Sequence, residues 1–319
     1  MRFAEYHMTR LIRRIRASTG RFGAPRGMLR AALLHLSVAV ACSVITLPLT
    51  GCVGKSERAV DAWRPPAGHP AVDHFELIRD AADQEALYTL AGGLKPMSSG
   101  IWQGSFELED PDLTELRDVR RALGHLRNDV WYADVQVYDN ADDGERWAEA
   151  FVVHREALAR MIERLQPFWS PWGITPCTHP AEVVTIVDRM PRADRWRGYG
   201  HLFGYPDDAV DFFVEAGLAN DDGREVGPGK DREFVQIPTH VAESGRFTYA
   251  VPLGHVPTPV DRALAERAGL ILAAYEARRP RMNDAEEAVK ALRQLNDQFE
   301  HFAIIERSRD HEATVVPPN

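Results

Sequence analysis

Three histidines and one aspartate are the residues whose types could support catalysis or metal binding. His201, His240 and His255 lie in segments that we predict to be loops near a β-hairpin, and Asp207 follows the first of them. Brought together by folding, these side chains could coordinate a divalent metal ion or form a general acid–base pair. They do not form the i,i+4 pairs that share one helix face, so separate packed or solvated histidines are the alternative.

A second group combines arginines with aromatic residues. Arg192, Arg195 and Arg197 alternate with Trp196 and Tyr199 in a stretch that we expect to be a loop. The arginine fork binds carboxylates and phosphates, and aromatic faces stack on sugars and cations. The pattern predicts a ligand-binding surface, and the alternative is a loop whose arginines pair with nearby acidic side chains.

The short motifs of well-marked hydrolases and nucleotide-binding proteins do not occur in the sequence. It contains no GxSxG, SxxK, HExxH, CxxC or GxxxxGK pattern. Because many enzymes lack short motifs, this observation leaves the catalytic residues unknown rather than excluding an enzyme.

The N-terminal part of the chain has the layout of a secretory signal. Arginine-rich sequence precedes an apolar run over residues 31–48, and small residues follow it. The next four residues, Leu49, Thr50, Gly51 and Cys52, resemble the lipobox of bacterial lipoproteins. The resemblance implies cleavage before Cys52, a diacylglyceryl group on its thiol, and a fatty acid such as palmitate on the new amino group.

This resemblance predicts where the protein is located. The apolar run is shorter than the roughly twenty residues of a membrane-spanning helix, so we expect a lipid-anchored protein facing the periplasm or the exterior. Val53 follows the cysteine, and in Gram-negative lipoproteins the absence of aspartate there favours the outer membrane. The predicted divisions are a signal peptide over 1–51 (with Met28 as an alternative start), a lipidated tether over 52–70, a globular domain over 71–305 and a polar tail over 306–319.

Charge and cysteine content agree with an exported domain. Residues 1–51 hold eight arginines and one glutamate, which leaves residues 52–319 with a formal charge of −16. A body with this charge is not expected to bind nucleic acid, because such binding depends on neutralising phosphates. After processing, Cys177 is the one free thiol that remains, so the fold must be stabilised by its core rather than by a disulfide.

Hydrophobic periodicity predicts an α+β fold. Alternating patterns indicate strands over 131–138, 147–154, 233–239 and 246–253, and a weaker one over 101–108. Helical periods with capping residues indicate six helices, which begin near Val72, Pro111, Pro180, Pro206, Thr258 and Asn283. We therefore expect a single domain with about five mostly antiparallel strands and six helices.

Three hypotheses for function follow from the sequence. The first is an envelope lipoprotein that binds an envelope polymer or a protein without catalysis, in addition to its contact with the lipid bilayer. The second is an envelope hydrolase, with or without a metal ion, that uses the loop histidines and carboxylates. The third is a structural spacer. No cofactor is predicted, and a divalent metal belongs only to the second hypothesis.

Overall fold

The computed structural model describes residues 72–142, 144–221 and 232–314. All of these residues belong to one compact unit. The predicted signal peptide, Cys52 and the tether lie outside the described residues. Within the described ranges, no helix combines the length and the apolar composition that crossing a bilayer requires.

Five antiparallel strands form two small sheets, which confirms the α+β class. β3 lies between β1 and β2 in the first sheet, and β4 pairs with β5 in the second. The strands are β1 (Met97–Glu107), β2 (Trp131–Asp142), β3 (Glu145–His154), β4 (Arg232–Thr239) and β5 (Ala242–Pro252). Both predicted hairpins are present. The first has a shorter connection than expected, because β2 continues through 139–142 after a register shift between Val137 and Ala141.

The described residues form ten α-helices rather than the six expected. They are α1 (His74–Asp83), α2 (Leu87–Leu90), α3 (Thr114–Ala122), α4 (Arg155–Arg164), α5 (Gln166–Trp169), α6 (Pro180–Arg189), α7 (Arg192–Leu202), α8 (Asp207–Asp221), α9 (Pro259–Arg278) and α10 (Ala285–Thr314). The first predicted helix is divided into α1 and α2, while α4, α5 and α7 were not predicted. Helix α10 continues past residue 305, so the predicted tail begins inside it.

Several helix starts follow from their capping residues. Thr258 and Asp261 form the reciprocal capping box at the start of α9, and His179 caps α6, as its position before proline predicts. The predicted start at Pro111 is wrong, because α3 begins at Thr114, whose N–H donates to Asp112. The cap of α10 is likewise one residue later than expected, at Asp284.

The central strand of the first sheet separates two hydrophobic cores. Ala150 and Val152 of β3 face one core, whereas Phe151 and Val153 face the other. Successive side chains of a strand point to opposite faces, so the alternating sequence of β3 accounts for this division. The first core also receives the inner face of the β4–β5 hairpin, and it thereby positions the connection between β5 and α9.

Candidate functional site

The first sequence candidate, His201, lies beside Asp207 where α7 leads into α8. Its Nδ1 is 3.6 Å from Oδ1 of Asp207, which is too long for a hydrogen bond. Arg164 binds that carboxylate through both of its terminal nitrogens, at 2.5 and 3.1 Å, and lowers its pKa. Burial lowers the pKa of His201 to about 4, so its ring is neutral at pH 7.

His240 pairs with a different carboxylate. It lies in the turn between β4 and β5, and its Nδ1 is 3.2 Å from Oε1 of Glu276 on α9. The backbone next to it, at Val241, donates to the carbonyl of Asp83. The pair therefore joins the hairpin turn to α9, beside the end of α1.

His255 pairs with the buried Asp261. Its Nε2 is 2.9 Å from Oδ2 of the aspartate, which also accepts from the backbone N–H of Thr258 at 2.7 Å. The hydroxyl of Tyr249 donates to Oδ1 at 2.5 Å. Burial alone would raise the pKa of Asp261, but the hydrogen bonds from Tyr249 and Thr258 outweigh it and lower this pKa to about 2. The aspartate is therefore a charged centre that fixes the surrounding backbone.

The three histidines and Asp207 do not come together at one site. The structure places His201 beside Asp207, while His240 and His255 bind carboxylates on α9. Among the described residues, no group of three or more histidine, cysteine, aspartate or glutamate side chains is arranged to hold a metal ion.

The predicted arginine and aromatic surface is a helix, not a loop. In α7, Trp196 and Tyr199 are 6% and 7% exposed, so their faces are not open to a ligand from solution. Arg195 donates to the carbonyl of Asp188, and Arg197 donates to Asp211 on α8. Of the three arginines, Arg197 pairs with an acidic side chain as the alternative expects, whereas Arg195 binds a backbone carbonyl and Arg192 lies over the ring of Trp196 at 4.7 Å.

Glycines made this helix hard to predict. Gly198 and Gly200 indicate turns by composition, but here they permit close packing between helices. A Cβ at Gly198 would lie 3.1 Å from Val187 of α6, and one at Gly200 would lie 2.7 Å from Val210 of α8. At these two positions glycine provides space for the neighbouring helices rather than backbone freedom.

A surface that the sequence did not single out extends from the end of β5 into the first turn of α9. We call residues 253–260 the apolar segment. Leu253, Val256 and Val260 are 63%, 78% and 58% exposed. No hydrophobic period links these residues, which is why pattern analysis missed them.

The backbone of the apolar segment is tied down at several points. The N–H of Gly254 donates to Glu233 on β4 at 2.9 Å, and the N–H of His255 donates to the carbonyl of Pro252. Arg262 donates to the carbonyl of Pro257. Together with the bonds to Asp261, these contacts hold the apolar side chains on an ordered backbone.

Two buried polar groups outside these sites connect distant elements. Lys95 is fully buried, with Nζ 2.8 Å from Oε2 of Glu85 and the ring of Phe247 at 4.8 Å, and burial lowers its pKa. His154 is also buried. Because its Nδ1 accepts from the backbone of α4, its Nε2 carries the proton and donates to Asn296 of α10 at 2.9 Å. Both side chains contact other residues of this chain, so we assign them a role in packing rather than in ligand binding.

Comparison of this chain with protein-family models, with curated proteins and with solved structures finds no match.

Proposed function

We propose that this chain is an envelope lipoprotein, attached to a bilayer through an acylated Cys52, whose globular body acts by binding rather than by catalysis. The anchor rests on the lipobox, and Val53 favours the outer membrane in a Gram-negative cell. The body faces the periplasm or the exterior. The observation that carries the binding role is the apolar segment, with Leu253, Val256 and Val260 exposed on a fixed backbone.

Exposed apolar side chains of this kind favour association. Moving a leucine or valine side chain from water to an apolar environment contributes about 1.5–3 kcal/mol when burial is complete. Single exposed apolar residues are common on soluble proteins, but three within one short segment form a candidate interaction site. The segment is already ordered by Asp261 and Glu233, so binding costs less conformational entropy than it would for a free loop.

The sequence candidates support catalysis less well. A catalytic or metal centre shared by the three histidines requires them to converge on one point. The structure instead distributes the three histidines over three separate carboxylates. The surface predicted around Trp196 and Tyr199 is replaced in this proposal by the apolar segment, because both aromatic side chains are buried.

Photo-crosslinking in intact cells tests the binding role. A benzophenone amino acid replaces Val256 in one chain and Leu270 in a control chain. Leu270 is 59% exposed, similar to the apolar segment, but lies further along α9. We expect adducts from position 256 and few from position 270. Equal yields, or none from position 256, would refute the assigned surface and favour a structural spacer.

A second candidate is a hydrolase that uses His255 as its base. The pairing of His255 Nε2 with Asp261 favours it, because a carboxylate on one ring nitrogen fixes the orientation of the ring and directs Nδ1 away from that carboxylate. A divalent metal remains part of this candidate, and elemental analysis of the purified chain tests it. Ester hydrolysis that is abolished in His255→Gln would support the candidate. Hydrolysis that is absent, or the same in this variant as in the wild type, would remove it.

A further inference from the structure

We infer that the apolar segment binds the lipid bilayer itself and gives the body a second membrane contact besides the acylated cysteine. This inference rests on the proposed lipid anchor and names the partner of the proposed binding surface. Its basis is the geometry of the three exposed side chains, the charges around them and the reach of the chain before the described domain.

The exposure of the side chains favours a bilayer over a protein partner. Leu253, Val256 and Val260 each have more than half of their surface in contact with water. Side chains exposed to this degree project from the surface rather than line a groove, so a protein partner would have to supply a matching pocket. A bilayer accepts projecting apolar side chains without a preformed pocket.

The charges near the segment also suit a membrane surface. Over residues 247–265 the one carboxylate in the sequence is Asp261, which is buried and hydrogen-bonded. Arg262, an exposed residue, lies directly after it. Arg232 pairs with Pro252 across the hairpin, and its guanidinium lies over the ring of Phe234.

These arginines are placed to meet lipid phosphates when the segment enters the interface. Arginine binds phosphate through its planar fork, and its aliphatic stem can lie along apolar surface while the charge remains in the headgroup region. Glu233 and the exposed Glu266, four residues after Arg262, are the acids near these arginines, and one oxygen of Glu233 accepts from the backbone of Gly254. The sequence after residue 51 carries a formal charge of −16, so a face where arginines offset the carboxylates is where approach to anionic lipid meets less repulsion.

The predicted anchor keeps the domain close to the bilayer. The residues from Cys52 to Val72 can span at most about 70 Å when fully extended. Confinement within this distance raises the effective concentration of the domain at the surface, so a weak second contact becomes populated. The lipid anchor therefore increases the fraction of chains whose three apolar side chains contact the bilayer, and that contact in turn strengthens membrane attachment.

Depth-dependent quenching tests the inference on the full lipidated chain. The environment-sensitive dye NBD is attached at Val256→Cys or, as the control, at Leu270→Cys. Both are made in a Cys177→Ser background, because Cys177 is exposed and free. The chain is reconstituted into vesicles of phosphatidylethanolamine and phosphatidylglycerol that contain a doxyl-labelled lipid.

We expect the dye at position 256 to lose most of its emission and the dye at position 270 to keep it. Adding Leu253→Ser and Val260→Ser to the 256-labelled chain should restore the emission. The matched changes Leu108→Ser and Leu218→Ser, which remove two other exposed leucines, should not restore it. Equal quenching at positions 256 and 270, or quenching that survives the Leu253 and Val260 changes, would overturn the inference.

The mass of the N-terminal peptide separates this inference from the proposed anchor. If Cys52 carries lipid and the dye at position 256 is not quenched, the membrane contact of the segment is refuted and the anchor stands. If Cys52 carries no lipid, the proposed anchor is refuted, and quenching by added vesicles of a 256-labelled chain that also carries Cys42→Ser and Cys52→Ser still decides whether the segment binds lipid. Adducts from position 256 that contain protein and no lipid would also overturn the inference.

Discussion

Replacing Asp261 by asparagine tests how strongly this residue stabilises the connection between β5 and α9. The carboxylate accepts hydrogen bonds from Tyr249, His255 and Thr258. Its pKa is about 2 in the fold against an ordinary value of 3.8. By linkage, this difference corresponds to about 2.5 kcal/mol of stability at pH 7. Asparagine is close in shape to the protonated acid, so Asp261→Asn should lower the free energy of unfolding by about this amount.

The effect should depend on pH in a direction set by the lowered pKa. The stabilisation is present above the unfolded value of 3.8 and is lost as the pH falls toward 2. The difference between wild type and Asp261→Asn should therefore shrink to about 1.3 kcal/mol at pH 3.

Urea unfolding of the purified chain, followed by circular dichroism at pH 7 and pH 3, measures this difference. Asp80→Asn, which removes an exposed carboxylate on α1, serves as the control and should change stability by less than about 0.5 kcal/mol. An Asp261→Asn difference that is equal at both pH values would refute the assignment of Asp261 as a charged, stabilising centre.

Three further predictions concern packing and burial. The NMR signals of His201, whose pKa is about 4, should not titrate between pH 8 and pH 5, and a titration midpoint near 6.5 would contradict this. Because His201 takes up its proton at a higher pH in the unfolded chain than in the fold, the free energy of unfolding should fall as the pH drops from 6.5 toward 4. Gly200→Ala should destabilise the fold by about 1–3 kcal/mol in thermal unfolding, because the new Cβ would lie 2.7 Å from a side chain of α8. Gly269→Ala, whose Cβ would enter open space on α9, should stabilise the fold by up to about 1 kcal/mol. Equal changes in the free energy of unfolding would refute the packing argument. Glu85→Gln should lower the free energy of unfolding more than Lys95→Met does. The first change leaves the buried ammonium of Lys95 without its carboxylate, whereas the second leaves no buried charge. The reverse order in urea unfolding would contradict this prediction.

Local sequence patterns were sufficient for the strands and for several helix starts. The alternation in β3 predicts the strand, since period two is a property of the strand itself. That its two faces contact two separate cores became evident only from the structure. The Thr258–Asp261 box likewise predicts the start of α9 from four adjacent residues. Helix α7 was not predicted because Gly198 and Gly200 are there to allow close contact with other helices, and no local sequence pattern indicates such contacts.

The arrangement of the site depends on contacts between distant parts of the chain. His240 meets Glu276 from another element, and nothing in either local sequence indicates the pairing. His255 is different, because Asp261 lies six residues away in the same connection, and the capping box already places that carboxylate near the start of α9. Exposure of the apolar segment also depends on what the rest of the fold leaves uncovered, so it could not be predicted from the sequence.

The mass of the mature N-terminal peptide tests the central claim of a lipid-anchored envelope protein most directly. The chain is isolated from the membrane fraction, digested and measured by mass spectrometry. The account predicts a peptide that begins at Cys52 and carries a diacylglyceryl group with an acylated amino group. An unmodified cysteine, or a chain that retains residues 1–51, would contradict it.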